Sequence, residues 1–110
     1  MPYYDATPFA MTTEFFSGAG GLAGLTGEYG ELMSSNYSER QTVQVEGKTP
    51  KAAAEQVWEI FQNIDDDHLT PDDGRSLMVG DLVRLRENGT DTWLQVATFG
   101  FKVVAPPTTG

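Results

Sequence analysis

The segment 74–104 constrains the fold more than any other part of the chain. Two apolar runs within it are joined by Asn88 and Gly89. Two-residue type I′ turns prefer this pair, because both central positions take a positive φ. A third short apolar run follows the second. The pattern predicts a β-hairpin over residues 82–98 and a closing strand over residues 99–104.

A helix is predicted upstream of this segment. Thr49 is a good N-cap, and Pro50 suits the first helical position because its missing N–H has no helical partner there. The pattern extends the helix to about Asn63, with Trp58 at the border of its apolar stripe. The predicted stripe consists of Ala53, Val57, Ile60, Phe61 and Ile64.

The first third of the chain mixes strand and helix signals. Residues 1–11 favour a short edge strand, because Pro8 cannot donate to a sheet ladder. Thr12 or Thr13 can cap a short helix that starts at Glu14. Apolar residues then recur at helical spacing through a glycine-rich stretch, and residues 37–46 alternate as a strand. The recurring residues are Leu22, Leu25, Tyr29, Leu32 and Met33.

These elements predict an α+β fold in one domain that spans residues 1–110. We expect a small, mainly antiparallel sheet of about four to five strands, packed against one or two helices. Residues 1–36 form a glycine-rich helical part, residues 37–104 carry the β-α-β-β-β pattern, and residues 105–110 are predicted to be a flexible tail.

The charge balance bounds the kind of partner. The formal net charge is −9, which repels nucleic-acid backbones and anionic membranes and attracts a protein with a basic surface. The chain has no cysteine and therefore no disulfide or thiolate metal site. Its first residues lack the basic start and apolar block of a signal peptide, and no segment has the length of a membrane span. We therefore expect a cytoplasmic protein without direct nucleic-acid or membrane binding, whose oligomeric state the pattern leaves open.

Three blocks of the second half resemble the YodL-like domain family. They are Val-Trp-Glu-Ile-Phe-Gln-Asn at 57–63, Gly-Arg-Ser-Leu-Met-Val-Gly-Asp-Leu-Val at 74–83 and Phe-Gly-Phe at 99–101. Met78 stands where the family pattern usually has serine. The resemblance covers residues 37–104 and implies a small domain of bacteria, phages and conjugative elements. It implies an accessory protein that acts by binding a host or element-encoded protein, and it carries no catalytic residues.

Five residues are candidates for a partner-binding surface. Arg75, Ser76 and Asp81 belong to the second block, and Trp58 and Trp93 are of the type favoured at interfaces. The competing interpretation of the first three is architectural. Arg75 can pair with nearby aspartates, and Ser76 and Asp81 suit turns.

Residues 15–22 read Phe-Phe-Ser-Gly-Ala-Gly-Gly-Leu and suggest an alternative function, the binding of a cofactor. It is similar to the first motif of cytosine-5 DNA methyltransferases, where a glycine turn approaches S-adenosylmethionine. Those enzymes also need a catalytic cysteine, which this chain lacks. A glycine-rich hinge is the simpler interpretation, and we assign no cofactor and no catalytic residue.

An acidic loop at residues 65–73 suggests two further alternatives. Its carboxylates, with the single histidine His68, could gather a hard cation, but the spacing is not that of a calcium loop. A solvated loop is the simpler interpretation, and we assign no metal ligand. The acidity also leaves open an acidic mimic of DNA that would occupy a DNA-binding protein. The loop's acidic residues are Asp65, Asp66, Asp67, Asp72 and Asp73.

Overall fold

A computed structural model describes residues 3–20, 32–62 and 76–109 of the chain. The strands are β1 (Tyr3–Met11), β2 (Tyr37–Glu39), β3 (Val43–Glu46), β4 (Leu82–Glu87), β5 (Thr90–Val96) and β6 (Phe101–Val104). The helices are a single turn α1 (Thr13–Phe15), which continues as a π-type segment (Phe16–Gly20), a 3-10 turn (Ser34–Asn36) and α2 (Pro50–Ile60).

All described strands join one sheet in the order β2-β1-β4-β5-β6, with β3 also paired to β1. Every pairing between these strands is antiparallel. β3 pairs with the first half of β1 and β2 with its end, so the two short strands together form one interrupted edge. The α+β class is therefore confirmed in outline, but within the described residues the sheet has six strands and dominates over a small helical content.

The predicted edge position of the first strand is wrong. β1 lies inside the sheet, between β4 on one side and the β2–β3 edge on the other. Pro8 is tolerated because its backbone faces that interrupted edge, where its carbonyl accepts from the N–H of Arg40 at 2.9 Å. β2 has already ended at Glu39, so the missing N–H of proline breaks no regular ladder there.

The Asn88-Gly89 hairpin is confirmed. Asn88 has a φ of 52° and Gly89 a φ of 81°, and Glu87 pairs with Thr90 across the turn. The closing strand begins at Phe101, two residues later than expected. Gly100 has a φ of 80° and its carbonyl accepts from the N–H of Ala97 at 2.9 Å, so the chain turns where the strand was predicted to start.

Helix α2 begins as predicted and ends earlier. The Thr49 hydroxyl accepts the N–H of Ala52 at 3.1 Å, and Pro50 occupies the first turn. The helix ends at Ile60, because Phe61 leaves helical geometry with a ψ of 25°. Gly47 lies against the helix so closely that a Cβ there would stand 2.6 Å from the backbone N of Ala53.

The main core lies between α2 and one face of the sheet. Each strand that contributes alternates, so every second residue faces the helix. The buried members are Tyr4, Ala6, Val45, Ala53, Ala54, Val57, Phe61, Leu77, Val83, Leu85, Leu94, Val96 and Phe101.

A smaller apolar cluster covers part of the opposite face. Its buried residues are Met11, Tyr37 and Leu82. Half-buried residues packed against them include Phe9, Phe15, Leu32, Trp93 and Val104.

The C-terminal segment is hydrogen-bonded to residues beside this face. The backbone of Thr108 donates to the carbonyl of Leu32 and accepts from the N–H of Ser34, both at 2.8 Å. These bonds form a short parallel bridge that the polar composition of the segment does not signal.

Thr12, one of the two predicted caps, accepts the N–H of Phe15 at 3.2 Å, and the helical turn begins at Thr13, one residue earlier than expected. Several other sequence expectations lie outside the described residues. They are most of the glycine-rich helix, Ile64, Arg75 and the acidic loop with His68.

Candidate functional site

The sheet face opposite α2 carries a groove centred on Arg84. Arg84 of β4 is the cross-strand partner of Trp93 in β5, and Phe9 in β1 lies on the other side. The guanidinium carbon stands 5.5 Å from the ring centroid of Phe9 and 5.9 Å from that of Trp93. The two rings are themselves 5.0 Å apart between centroids. One cation thus lies against two aromatic rings.

The groove has a volume of about 300 Å³. Tyr37 and Ser34 line it, Pro107 contributes an apolar wall, and Glu39 contributes a carboxylate from the edge strand β2. We call this space, with Phe9, Arg84 and Trp93, the Arg84 groove. A volume of this size lies at the lower end of the range of small-molecule sites.

The hydrogen bonding of Arg84 is incomplete among the described residues. One terminal nitrogen donates to the Thr7 hydroxyl at 3.3 Å, and that hydroxyl shares a bond of 2.7 Å with Thr42. The Nε atom is buried and has no acceptor in the described parts of the chain. A buried donor without a partner costs free energy relative to a hydrogen-bonded one.

Arg86, two residues later on the same strand face, behaves differently. Its Nε and Nη2 donate to the two carboxylate oxygens of Asp91 at 2.7 and 3.0 Å. This hydrogen-bonded ion pair lowers the pKa of Asp91 and raises the pKa of Arg86. β4 therefore presents one arginine that is already paired with a carboxylate and one that is not paired within the described residues.

A second cavity lies on the α2 side of the sheet. It has a volume of about 270 Å³ and is lined by Glu55, Trp58, Val96, Gly100 and Phe101. We call it the Trp58 pocket. Beside it, Phe99 is 95% exposed, and Val103 on the edge strand β6 is 63% exposed. These are large apolar side chains in contact with solvent next to a concave surface.

The candidate partner-binding residues do not form one surface. Asp81 is fully buried and accepts the backbone N–H groups of Met11 at 2.9 Å and Met78 at 3.1 Å. These bonds match the architectural interpretation of Asp81, and its burial removes it from any contact surface. Trp58 and Trp93 are half-buried on opposite faces of the sheet. Ser76 is half-buried, and Arg75 lies outside the described residues.

Sequence reasoning missed Arg84, the central residue of the groove. A signal was present, because Val83 and Leu85 are apolar while Arg84 and Arg86 alternate with them, which places both arginines on the opposite face. The pattern does not show which of the two meets a carboxylate. That follows from the hairpin register, which sets Arg86 opposite Asp91 and Arg84 opposite Trp93.

The described parts of the chain also bear on the metal, membrane and cofactor alternatives. Within residues 3–20, 32–62 and 76–109, no group of three histidine, cysteine, aspartate or glutamate residues is placed to hold a metal ion. No helix in the same ranges is long and apolar enough to cross a membrane. The segment that carries Gly18 follows a helical turn, and β1 before it is paired only with antiparallel strands. Nucleotide-type cofactors usually bind at the ends of parallel strands, which this setting does not provide.

Comparisons with protein-family models, with curated proteins and with solved structures gave no match. The functional argument therefore depends on the residues of this chain.

Proposed function

We propose that this chain is a small, non-catalytic accessory protein of a phage or mobile element that binds a host or element-encoded protein. The resemblance of residues 37–104 to the YodL-like family motivates the biological setting, including the cytoplasm as the place of action. The observation that carries the binding role is the exposure of Phe99 and Val103 beside the Trp58 pocket.

The position of Phe99 supports contact with a partner. The side chain is 95% exposed at the turn between β5 and β6, where Gly100 takes a φ of 80°. Covering an exposed aromatic ring with a partner lowers the free energy of the complex, because the ring is removed from water. Aromatic residues also contribute much of the binding energy at protein interfaces. Val103 extends the apolar surface along β6, whose outer backbone edge faces no described strand. An open edge of this kind can also accept a strand from another protein.

The net charge supports a partner with a basic surface. A charge of −9 on 110 residues attracts such a surface and repels acidic ones. Attraction between exposed charges weakens with salt, so association would slow as the salt concentration rises. Apolar contacts at Phe99 would retain affinity after that screening.

A retention experiment tests this proposal. The immobilised chain is exposed to a host lysate at low and high salt, and the retained proteins are identified by mass spectrometry. Phe99→Ser is compared with Tyr3→Ser, which changes an aromatic residue that is 60% exposed at the start of β1. We expect a basic protein that the wild type and Tyr3→Ser retain and that Phe99→Ser loses at high salt.

Equal retention by all three proteins would contradict the assignment of the contact surface. Retention of no protein at low salt would contradict the binding role itself.

No described feature favours the two alternatives. A cofactor role for Gly18–Gly21 lacks parallel strand ends near β1, and many of the acidic residues that a DNA mimic would need lie outside the described ranges. A saturable titration with S-adenosylmethionine that is lost in Gly20→Val would favour the cofactor role over the present proposal.

A further inference from the structure

We propose that the Arg84 groove binds a carboxylate group carried on an apolar body. The inference concerns the sheet face opposite the Trp58 pocket, so it does not depend on the role proposed for Phe99. It rests on an arginine that is fixed in place, incompletely hydrogen-bonded and open to a cavity of about 300 Å³.

The guanidinium is preorganised to receive an anion. Contacts with the rings of Phe9 and Trp93 and the bond to Thr7 fix the side chain, and no described carboxylate bonds directly to it. An arginine held in this way loses little side-chain entropy on binding, which favours affinity. Its neighbour Arg86 already binds a carboxylate, because its Nε and Nη2 donate to the two oxygens of Asp91. A ligand carboxylate would reach Arg84 through its terminal nitrogens, because Nε is buried and Nη2 also donates to Thr7.

The charges around the groove favour a single negative charge over a phosphate. A guanidinium fork fits both groups, but a phosphate carries more charge and usually meets several cations. Here Glu39 lines the groove and adds repulsion, and the whole chain carries a net charge of −9. A carboxylate meets less repulsion from these charges than a doubly charged anion.

The walls of the groove define the rest of the ligand. Phe9 and Trp93 offer ring faces, and Pro107 offers an apolar surface from the C-terminal segment. An aromatic or branched aliphatic body would exclude water from these surfaces and so strengthen the hydrogen bonds to Arg84. Two sources share this chemistry, namely a free carboxylic acid and the C-terminus of a protein that ends in an apolar residue.

The test uses the full chain and small probes. Benzoate and, in a separate titration, its neutral isostere benzamide are added to the protein. Backbone amide chemical shifts and Trp93 fluorescence are recorded in both titrations. Fluorescence is measured in a Trp58→Phe variant, since Trp58 lies on the other face. We expect saturable changes near Phe9, Arg84 and Trp93 with benzoate and none with benzamide.

Arg84→Met and Arg86→Met form the matched pair of variants. Both remove a guanidinium from the same face of β4, but only Arg84 lines the groove. We expect Arg84→Met to lower benzoate affinity at least tenfold, because it removes the guanidinium that pairs with the carboxylate. Arg86→Met should change the affinity less than twofold, because that guanidinium does not line the groove. Glu39→Gln removes the repulsive charge and should strengthen binding by about threefold.

Two further probes separate the ligand sources. A short peptide ending in phenylalanine is compared with its amidated form, which lacks the terminal carboxylate. Tighter binding of the free-acid peptide than of benzoate assigns the groove to protein C-termini, and tighter binding of benzoate assigns it to small acids. The proposal is overturned if benzoate gives no saturable change, if benzamide binds equally well, or if Arg84→Met and Arg86→Met behave alike. Should Arg84→Met fail to fold, weaker benzoate binding by Glu39→Gln would overturn it.

Discussion

The carboxylate of Asp81 accepts the backbone N–H of Met11 at 2.9 Å, across 70 positions of sequence. The same carboxylate accepts the N–H of Met78 at 3.1 Å. One buried side chain thus fastens the end of β1 to the turn that leads into β4. Nearby, the carbonyl of Gly80 accepts from the Tyr37 hydroxyl at 3.3 Å and from the Gln95 amide at 3.2 Å. This junction is held by polar contacts within an apolar surrounding.

Asp81→Asn is expected to lower the free energy of unfolding by about 2 kcal/mol, because a buried N–H would lose its charged acceptor and meet an amide. Urea denaturation followed by circular dichroism measures the change. Asp5→Asn, at an exposed position of β1, serves as the control and should have little effect. An equal loss of unfolding free energy in both variants would show that the bonds of Asp81 do not stabilise the fold more than an exposed carboxylate does.

Gly89→Val should destabilise the hairpin by about 1–2 kcal/mol, because Gly89 has a φ of 81° that a β-branched residue adopts only with strain. Nothing lies within 4 Å of a Cβ placed there, so the cost is conformational and not steric crowding. Gly89→Asn should recover most of the loss, since asparagine tolerates this region. A thermal melt distinguishes them, and equal melting temperatures for the two variants would contradict the turn geometry.

Arg84→Met is expected to leave the stability of the protein unchanged or to raise it. Methionine retains an apolar stem against Phe9 and Trp93, and the change removes a buried donor that costs about 1–3 kcal/mol when unpaired. The lost cation–π contacts, each worth about 0.5–1 kcal/mol, offset part of that gain. Urea denaturation is the measurement. A loss as large as that of Asp81→Asn would show that Arg84 is retained for the fold.

The stability difference between the wild type and Asp91→Asn should depend on pH. Bonding to Arg86 lowers the pKa of Asp91 below its ordinary value of 3.8 in the folded protein. A carboxylate with a depressed folded pKa stabilises the protein above its unfolded pKa, and this contribution is lost as the pH falls through the folded value.

We therefore expect a small advantage of the wild type at pH 7 that shrinks below about pH 4. Denaturation midpoints for both proteins across this range provide the check. The advantage should also shrink in high salt, because the pair is exposed. A difference that stays constant with pH would contradict the ion pair.

The hairpin and the long helix were predictable because short-range rules decide them. Asn88 and Gly89 select a turn type, and Thr49 and Pro50 set a helix start, without reference to the rest of the chain. The break between β2 and β3 depends on what lies beside Pro8, which sequence order alone does not reveal. The inner position of β1 is also hidden from sequence order, because it depends on pairing with strands far along the chain.

The candidate sites were less predictable, since they depend on burial and register. Asp81 reads as a turn residue on a surface, and only the packing of β1 against β4 shows that it is buried. Trp58 and Trp93 look equivalent in sequence, but the two faces of the sheet separate them. Arg84 gains its significance from Phe9, which is 75 positions away and reaches it only through the pairing of β1 with β4.

The inner position of β1 has a consequence for how the protein folds. β1 precedes in sequence every strand with which it pairs, and its partner β4 begins only at Leu82. During synthesis this apolar strand therefore leaves the ribosome long before the residues that complete the sheet. Pairing over such distances makes folding slow and leaves strand edges open to aggregation in the meantime. Expression at reduced temperature or with a chaperone should accordingly increase the soluble yield.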